Sequence, residues 1–495
     1  MAELMLGIDV GTSSSKGVLA SADGTIVAVA QRPHQLALPR PGWAEHDAEA
    51  VWWSDFVALA RELSEAASGG IAAVGVSGIG PAVLPVDRGG SPLRPAILYG
   101  IDTRASDQVE ALTARFGEDA ILARGGTLLT SQAAGPKLAW LREREPDLWA
   151  KTARFHMAHS LIAERLTGEY VLDHHSASQV DPLYDMTTAS WATDWAAEVA
   201  PGIDFPRLAW SDEVVGRVHR AGAAATGIRA GTPVVAGTID AWAEALSAGV
   251  REPGEAMLMY GTTMFMVEVT DGFRPDARLW TTQGALEGTV TYAAGLSVSG
   301  GLTVWLRDLV GREFEELIAD AAATPPGADG LVALPFFGAA RSPIHDPEAR
   351  GVLVGLTLSH GRGHLYRALL EGAAYEVRHN LEVLAAAGAA PRSLVAVGGG
   401  TKGALWTRIV SDVTGQAQVI PEQTIGASYG DAWLAAVGSG VIARTEVWNR
   451  PAETVEPDPH ARPRYDGLYD LYRALYPATR DLVHAAVRVA APPEA

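Results

Sequence analysis

The 495-residue chain contains no cysteine. That absence excludes disulfides, thiolate-bound zinc, iron–sulfur clusters and a cysteine nucleophile. No apolar run approaches the ~20 residues of a membrane-spanning helix, and the N-terminal stretch lacks the basic flank and cleavage site of a secretory signal. Basic residues are in deficit, with 39 Lys and Arg against 58 Asp and Glu and a formal charge of −19. Nucleic-acid and anionic-membrane surfaces want a basic patch, so neither partner is expected. No Gly-Lys dipeptide occurs, which removes the P-loop nucleotide motif. What remains is too long for one core and, at 48% hydrophobic residues, has the composition of an ordinary soluble globular protein. A cytoplasmic protein of two or more domains is the expectation, with a homodimer left open.

The most informative stretch is the first strand and its turn, Leu4-Met5-Leu6-Gly7-Ile8-Asp9-Val10-Gly11-Thr12-Ser13-Ser14-Ser15-Lys16. A buried strand tolerates Asp9 only if the acid is paired, hydrogen-bonded or bound to a cation. Gly11 lacks the Cβ that would block a phosphate from the backbone amides and hydroxyls of the turn. The plain alternative is ordinary turn chemistry in a β-hairpin. The pattern recurs at Ala256–Tyr260, Gly261-Thr262-Thr263 and Met264–Val269, in register with Gly11-Thr12-Ser13, which suggests a duplicated domain.

Other elements follow in order. Asp47 caps a helix from Ala48 to about Ala67. Ile71–Val76 and Ala82–Val86 are strands, and Ala96–Tyr99 ends at Gly100-Ile101-Asp102-Thr103-Arg104. A mostly helical stretch runs to about Leu166. Thr232–Gly237 is a strand leading into Asp240 and a helix from Ala241 to Ala248. The helix from His364 to about Leu384 carries one apolar stripe. Residues 450–462 read as a linker, Tyr465–Val489 as a helix broken at Pro477, and 490–495 as a frayed tail. Asp173-His174-His175 reads as a solvated loop, Trp305 and Trp406 as packing residues, and Tyr465, Tyr469 and Tyr472 as a docking face.

Two Gly/hydroxyl hairpins and two strand-end carboxylates, Asp9 and Asp240, form a set suited to phosphoryl transfer. Backbone amides hold phosphates, one carboxylate holds Mg²⁺, and another takes the proton of the attacking hydroxyl. Asp240 also reads as a simple acid at a helix N-terminus, favoured by the helix dipole. Gly398-Gly399-Gly400-Thr401-Lys402-Gly403 satisfies G-x-G-x-x-G between a strand and a helix, which offers an NAD-dependent oxidoreductase as a rival. A sugar-binding sensor without turnover is a second rival.

These residues resemble the FGGY carbohydrate kinases, with most likeness to xylulokinases, in the actin/hexokinase/Hsp70-like superfamily. The matching segments are Gly7–Ser13, Gly42-Trp43-Ala44-Glu45-His46-Asp47 with Trp52-Trp53, and Pro136-Lys137-Leu138-Ala139-Trp140-Leu141. Gly351–Leu356 with His364-Leu365 and Ala368–Glu371, then Gly398–Thr401, complete them. The resemblance implies an α/β chain of two RNase H-like (actin/hexokinase-type ATPase) domains with a cleft between them, divided as 1–248 and 249–495. It implies ATP and Mg²⁺ as cofactors and a small sugar or polyol as partner. Asp9 would hold the metal with Asp240, and Asp240 would be the catalytic base. Gly11, Thr12, Ser13, Lys16, Gly261, Thr262 and Thr263 would line the phosphate path. Gly300, Gly301, Gly399, Gly400 and Thr401 would surround the nucleotide. The sugar side departs from the pattern. Ile79-Gly80-Pro81 stands where xylulokinases carry Gln-Met-His, and Ala339–Pro343 replaces Gly-Glu-Arg-Thr-Pro. Gly80, Pro81, Asp102, Arg104 and Asp240 are the substrate-binding candidates, with Trp43 nearby. A surface salt bridge is the plain alternative for Asp102 and Arg104.

Overall fold

Leu4–Val10 is apolar on both sides of its pleat, and a strand of that kind must be covered on both faces. In the computed structural model, which describes residues 3–67 and 69–490, it lies inside a sheet. The strand order is Val214–Arg217, Pro233–Val235, Ile71–Gly78, Leu4–Val10, Ser14–Ser21, Ile26–Pro33. Leu4–Val10 pairs antiparallel with Ser14–Ser21 and parallel with Ile71–Gly78. Helices cover both faces. On one, the helix Ser54–Ala66 packs so closely that a Cβ on Gly17 would sit 2.6 Å from Leu63 Cδ1. On the other, the helix Ala427–Gly438 lies directly on the backbone of Gly7 and its strand partner Gly75. A Cβ there would come within 2.0 Å of the Ser428 carbonyl and 2.1 Å of the Asp431 carbonyl, respectively. Gly75→Ala is therefore expected to cost about 3 kcal/mol, the upper end for overpacking, read as a lowered midpoint of urea unfolding.

The chain divides into two compact units. The first comprises Met1–Arg251, Asp271–Thr291 and Ile425–Arg450; the second comprises Glu252–Thr270, Tyr292–Thr424 and Pro451–Ala495. Relative to a division at 248/249, residues 271–291 and 425–450 group with the first unit. In the second unit the strands run Met264–Thr270, Glu255–Tyr260, Ser393–Val397, Gln418–Pro421, Pro451–Val455. Glu255–Tyr260 again pairs antiparallel with the next strand and parallel with a later one, the same arrangement as Leu4–Val10. The two hairpins are not in strict register. Residues 11–14 separate the paired Val10 and Ser15, whereas residues 261–263 separate Tyr260 and Met264.

Several expectations need correction. Residues 450–462 are not a linker, because Pro451–Val455 pairs with Gln418–Pro421 as an exposed edge strand, and both an edge and the first residue of a strand accept proline. The last helix runs unbroken from Arg462 to Ala490 with Pro477 inside it. It is anchored ahead of the proline by Tyr465, Tyr469 and Tyr472, all buried and ringed around Tyr375, so the docking face is real. Residues 491–495 lie outside the described residues. The helix Arg362–Ala386 is buried on nearly every side between Tyr366 and Val377, not along one stripe. Ala48–Trp53 is a π-turn capped by Asp47, and the α-helix starts only at Ser54. The stretch before Leu166 is interrupted by the strand Arg154–His156. Trp305 is 42% exposed at the edge of Phe337, whereas Trp406 is packed against Tyr260. Asp173 and His175 are buried rather than solvated. Asp173 accepts from Thr238 Oγ1 at 2.8 Å and pairs with His159, while His175 meets the Gln283 carbonyl at 2.8 Å. Among the described residues no helix is long and apolar enough to cross a membrane.

Candidate active site

Strand register builds the carboxylate centre of the first unit. Asp9 pairs with Ser77 on the neighbouring parallel strand, and Ser77 pairs with Thr238 on the short strand beyond it. Asp240 follows two residues later as the first residue of the helix Asp240–Ser247. Three adjacent parallel strands thus end together, the usual ligand-facing edge of such a sheet. Ser77 Oγ sits 3.3 Å from Asp9 Oδ1 and 2.7 Å from Asp431 Oδ2, with Asp431 carried in by the helix that rests on Gly7 and Gly75. Glu244 lies one helical turn after Asp240 on the same face.

Four carboxyl groups in a water-poor space cannot all ionise without a cation. Burial pushes Asp9 up to about 6, against the Ser77 hydrogen bond and the charges of Lys16 and His34. Burial and then the Asp9 charge raise Asp240 well above the ordinary carboxylate range, although Ala241 N–H donates to its Oδ1 at 2.7 Å. The same two causes, in that order, lift Glu244 to about 7 and Asp431 well above its usual value. Lys16 Nζ is held by the Ile425 carbonyl at 2.8 Å. Among the described residues Asp431 Oδ1 is buried without a hydrogen-bond partner. This donor set fits a hard divalent ion, all oxygen and short of positive charge. Among the described residues no group of three or more His, Asp or Glu side chains is placed to hold a metal ion.

Gly80 and Pro81 follow the end of the Ile71–Gly78 strand, and a Cβ on Gly80 would lie 2.5 Å from Ile239 Cγ1, next to Asp240. Asp102 and Arg104 form a buried pair rather than a surface one. Arg104 Nη2 meets Asp102 Oδ2 at 2.7 Å, Ala44 N–H donates to the same oxygen at 2.7 Å, and Arg104 Nη1 lies 2.8 Å from Glu45. The guanidinium stacks 3.8 Å from the Trp43 ring, which fixes its plane. Lys137 is buried beside them and pushed down to about 7 by burial, despite the opposing Asp102 charge. Asp102→Ala would leave Arg104 and Lys137 short of a counter-charge, and the expected cost is about 3 kcal/mol by urea unfolding. A residue kept only for a ligand would leave stability unchanged.

The second unit brings its sequence candidates together. Gly300 N–H donates to the Gly261 carbonyl at 3.0 Å and Gly301 N–H to the Thr262 carbonyl at 3.1 Å. A Cβ on Gly300 would sit 2.5 Å from that Gly261 oxygen, so only glycine lets the helix start against the hairpin. Tyr260, just before the hairpin, closes on the third turn, where Cβ atoms on Gly398 and Gly400 would meet it at 2.7 and 2.8 Å. Gly399 faces open space, and Thr401 Oγ1 closes the turn on the Gly398 carbonyl at 2.8 Å. Ser77, Glu244, Asp431, His34 and His46 had no role from sequence. Asp431, a lone acid in the apolar run Ala427–Gly438, carried a readable signal.

The model of the FGGY family of carbohydrate kinases, N-terminal domain, matches residues 4–247, and that of the C-terminal domain matches residues 256–439. The chain is 28% identical over 489 residues to a xylulose kinase of Bacillus subtilis (strain 168), covering 97% of each. It is 31% identical to a glycerol kinase of Thermus brockianus, covering 92% of this chain and 95% of that one. A crystal structure of a xylulose kinase from Rhodospirillum rubrum superposes with a TM-score of 0.91 at 34% identity, over 97% of this chain and all of the other. The matched models span both halves of the chain, and the paired hairpins, strand-end carboxylates and glycine turns lie within them. The chain belongs to the FGGY family of carbohydrate kinases and has its two-domain fold.

Proposed function

We propose that the protein transfers the terminal phosphoryl group of ATP, with Mg²⁺, to a hydroxyl of a small ketose or polyol, D-xylulose or a related sugar, in the cytoplasm. The observation that carries this is the Asp9–Ser77–Asp240 edge, where two carboxyl groups sit at strand ends on either side of Ile71–Gly78. Asp240 accepts the proton of the attacking hydroxyl. Its burial and the Asp9 charge raise its proton affinity, which suits a general base. Asp9, with Asp240, supplies oxygen ligands of the kind Mg²⁺ takes; bound there, the ion supplies positive charge to the phosphate oxygens. The Gly11–Ser13 and Gly261–Thr263 turns present backbone amides to the phosphates, with Lys16 as a nearby charge. The nucleotide is assigned to the Gly300–Gly301 and Gly399–Thr401 turns, of which Gly399 faces open space.

Kinship with both xylulose and glycerol kinases leaves the acceptor to the sugar-side residues. Ile79-Gly80-Pro81 removes the polar donors of Gln-Met-His, and a site without them discriminates less steeply among hydroxyl patterns. The test is ADP release by coupled assay with Mg-ATP across pentuloses, tetruloses, hexuloses and polyols. One strong ketose or polyol substrate supports the reading; silence across the panel while Mg-ATP still binds contradicts it.

A further inference from the structure

Two histidines lie behind the Gly11–Ser13 turn. His34 follows the strand Ile26–Pro33, and its backbone N–H donates to the Ser13 carbonyl at 3.0 Å. Its Nε2 lies 3.1 Å from the Gly11 carbonyl and its Nδ1 2.8 Å from Asp55 Oδ2. Both neighbours are acceptors, so the ring makes both bonds only when each nitrogen carries a proton. Asp55 is itself fixed by Ser15 Oγ at 2.8 Å. His46 is ordered differently. Trp52 Nε1–H donates to its Nδ1 at 3.1 Å, which leaves the ring proton on Nε2, 3.1 Å from the Thr12 carbonyl. Burial, with His34 close by, pushes His46 down to about 4, in keeping with a neutral ring. The two rings meet edge to face with centroids 5.1 Å apart.

Three successive carbonyls, Gly11, Thr12 and Ser13, are therefore held from the same segment of chain. In a planar trans peptide the carbonyl and the following N–H point in opposite directions. Holding the Gly11 and Thr12 carbonyls inward turns the Thr12 and Ser13 N–H groups outward, the arrangement that receives an anion. We propose that His34 and His46 are positioning residues for the phosphate, acting through the carbonyls of this turn and not by contact with the nucleotide. This inference rests on the phosphate role proposed above for Gly11–Ser13.

The experiment uses the full chain and two readouts: calorimetric titration with Mg-ADP, and separate KM values for Mg-ATP and sugar. His34→Leu and His46→Leu remove the donors, and each is expected to weaken Mg-ADP and raise KM for Mg-ATP about tenfold, the worth of one oriented hydrogen bond, with the sugar KM unchanged. His46→Gln keeps an N–H within reach of Thr12 and is expected to restore most of the loss. Gly11→Val, which blocks the turn itself, tests the underlying reading. If it binds Mg-ADP like the unaltered chain, the phosphate role of the turn falls. If it loses binding while both leucine variants bind normally, or glutamine does no better than leucine, the positioning role alone is overturned. Should the leucine variants fail to fold, ring ¹⁵N shifts of the unaltered protein decide. Protons on both nitrogens of His34 and on Nε2 of His46 support the inference, and a His46 proton on Nδ1 overturns it.

Discussion

Asp240→Asn is expected to lower turnover by about 10²–10⁴-fold, the contribution of a positioned base, while the sugar still raises the melting temperature. The amide keeps the shape and the contact with Ala241 N–H but cannot take up the hydroxyl proton. It also removes one acid from the crowded, buried group around Asp9. Loss of turnover without loss of sugar binding separates a base from a residue that merely holds the acceptor. Turnover within a fewfold of the unaltered enzyme would remove Asp240 from that role.

Asp9→Asn is expected to abolish transfer and yet to stabilise the protein when no ligand is present. Asp9 binds its proton more tightly in the folded chain, at about 6, than at its ordinary value of 3.8. Folding is then linked to proton uptake between those values, and this group's contribution to stability falls as pH rises through that window. A shift of roughly two units corresponds to about 3 kcal/mol, present as a penalty above pH 6 and absent below pH 4. The asparagine carries no such penalty. The difference in unfolding free energy between variant and unaltered protein should therefore widen as pH rises from 4 to 7, and the acids that the Asp9 charge raises widen it further. Denaturant titrations across that range without Mg²⁺ check it; a gap that narrows with rising pH would contradict the assignment.

What the sequence made legible was local. The two hairpins, Asp9 at a strand end and Asp240 at a strand–helix junction follow from apolar runs punctuated by glycine and hydroxyls, and their family pattern lies within short segments. What escaped was built by distant parts of the chain. Asp431 reaches Ser77 across more than 350 residues because Gly7 and Gly75 let a helix sit on the sheet backbone. Nothing within the segment Asp173–His175 shows that Thr238, His159 and Gln283 will close over it, so three polar residues in a row read as solvated. Residues 450–462 failed for a related reason. Proline-rich polar sequence describes an exposed edge strand as well as a linker, and the pairing with Gln418–Pro421 decides between them. Pro477 was weighed against helix propensity alone, whereas the helix is held by tyrosines packed on Tyr375. The sugar side is the least legible of all. Asp102 and Arg104 are largely engaged with each other and with Glu45, Ala44 and Trp43, a network no spacing rule would suggest.

The most direct test of the account is the product itself. The purified chain is incubated with Mg-ATP and each ketose or polyol in turn, and sugar phosphate and ADP are both quantified by mass spectrometry. The account predicts a sugar carrying one added phosphoryl group, formed one for one with ADP and dependent on Mg²⁺ and Asp240. ADP without sugar phosphate, or sugar phosphate formed equally well by Asp240→Asn, would contradict it.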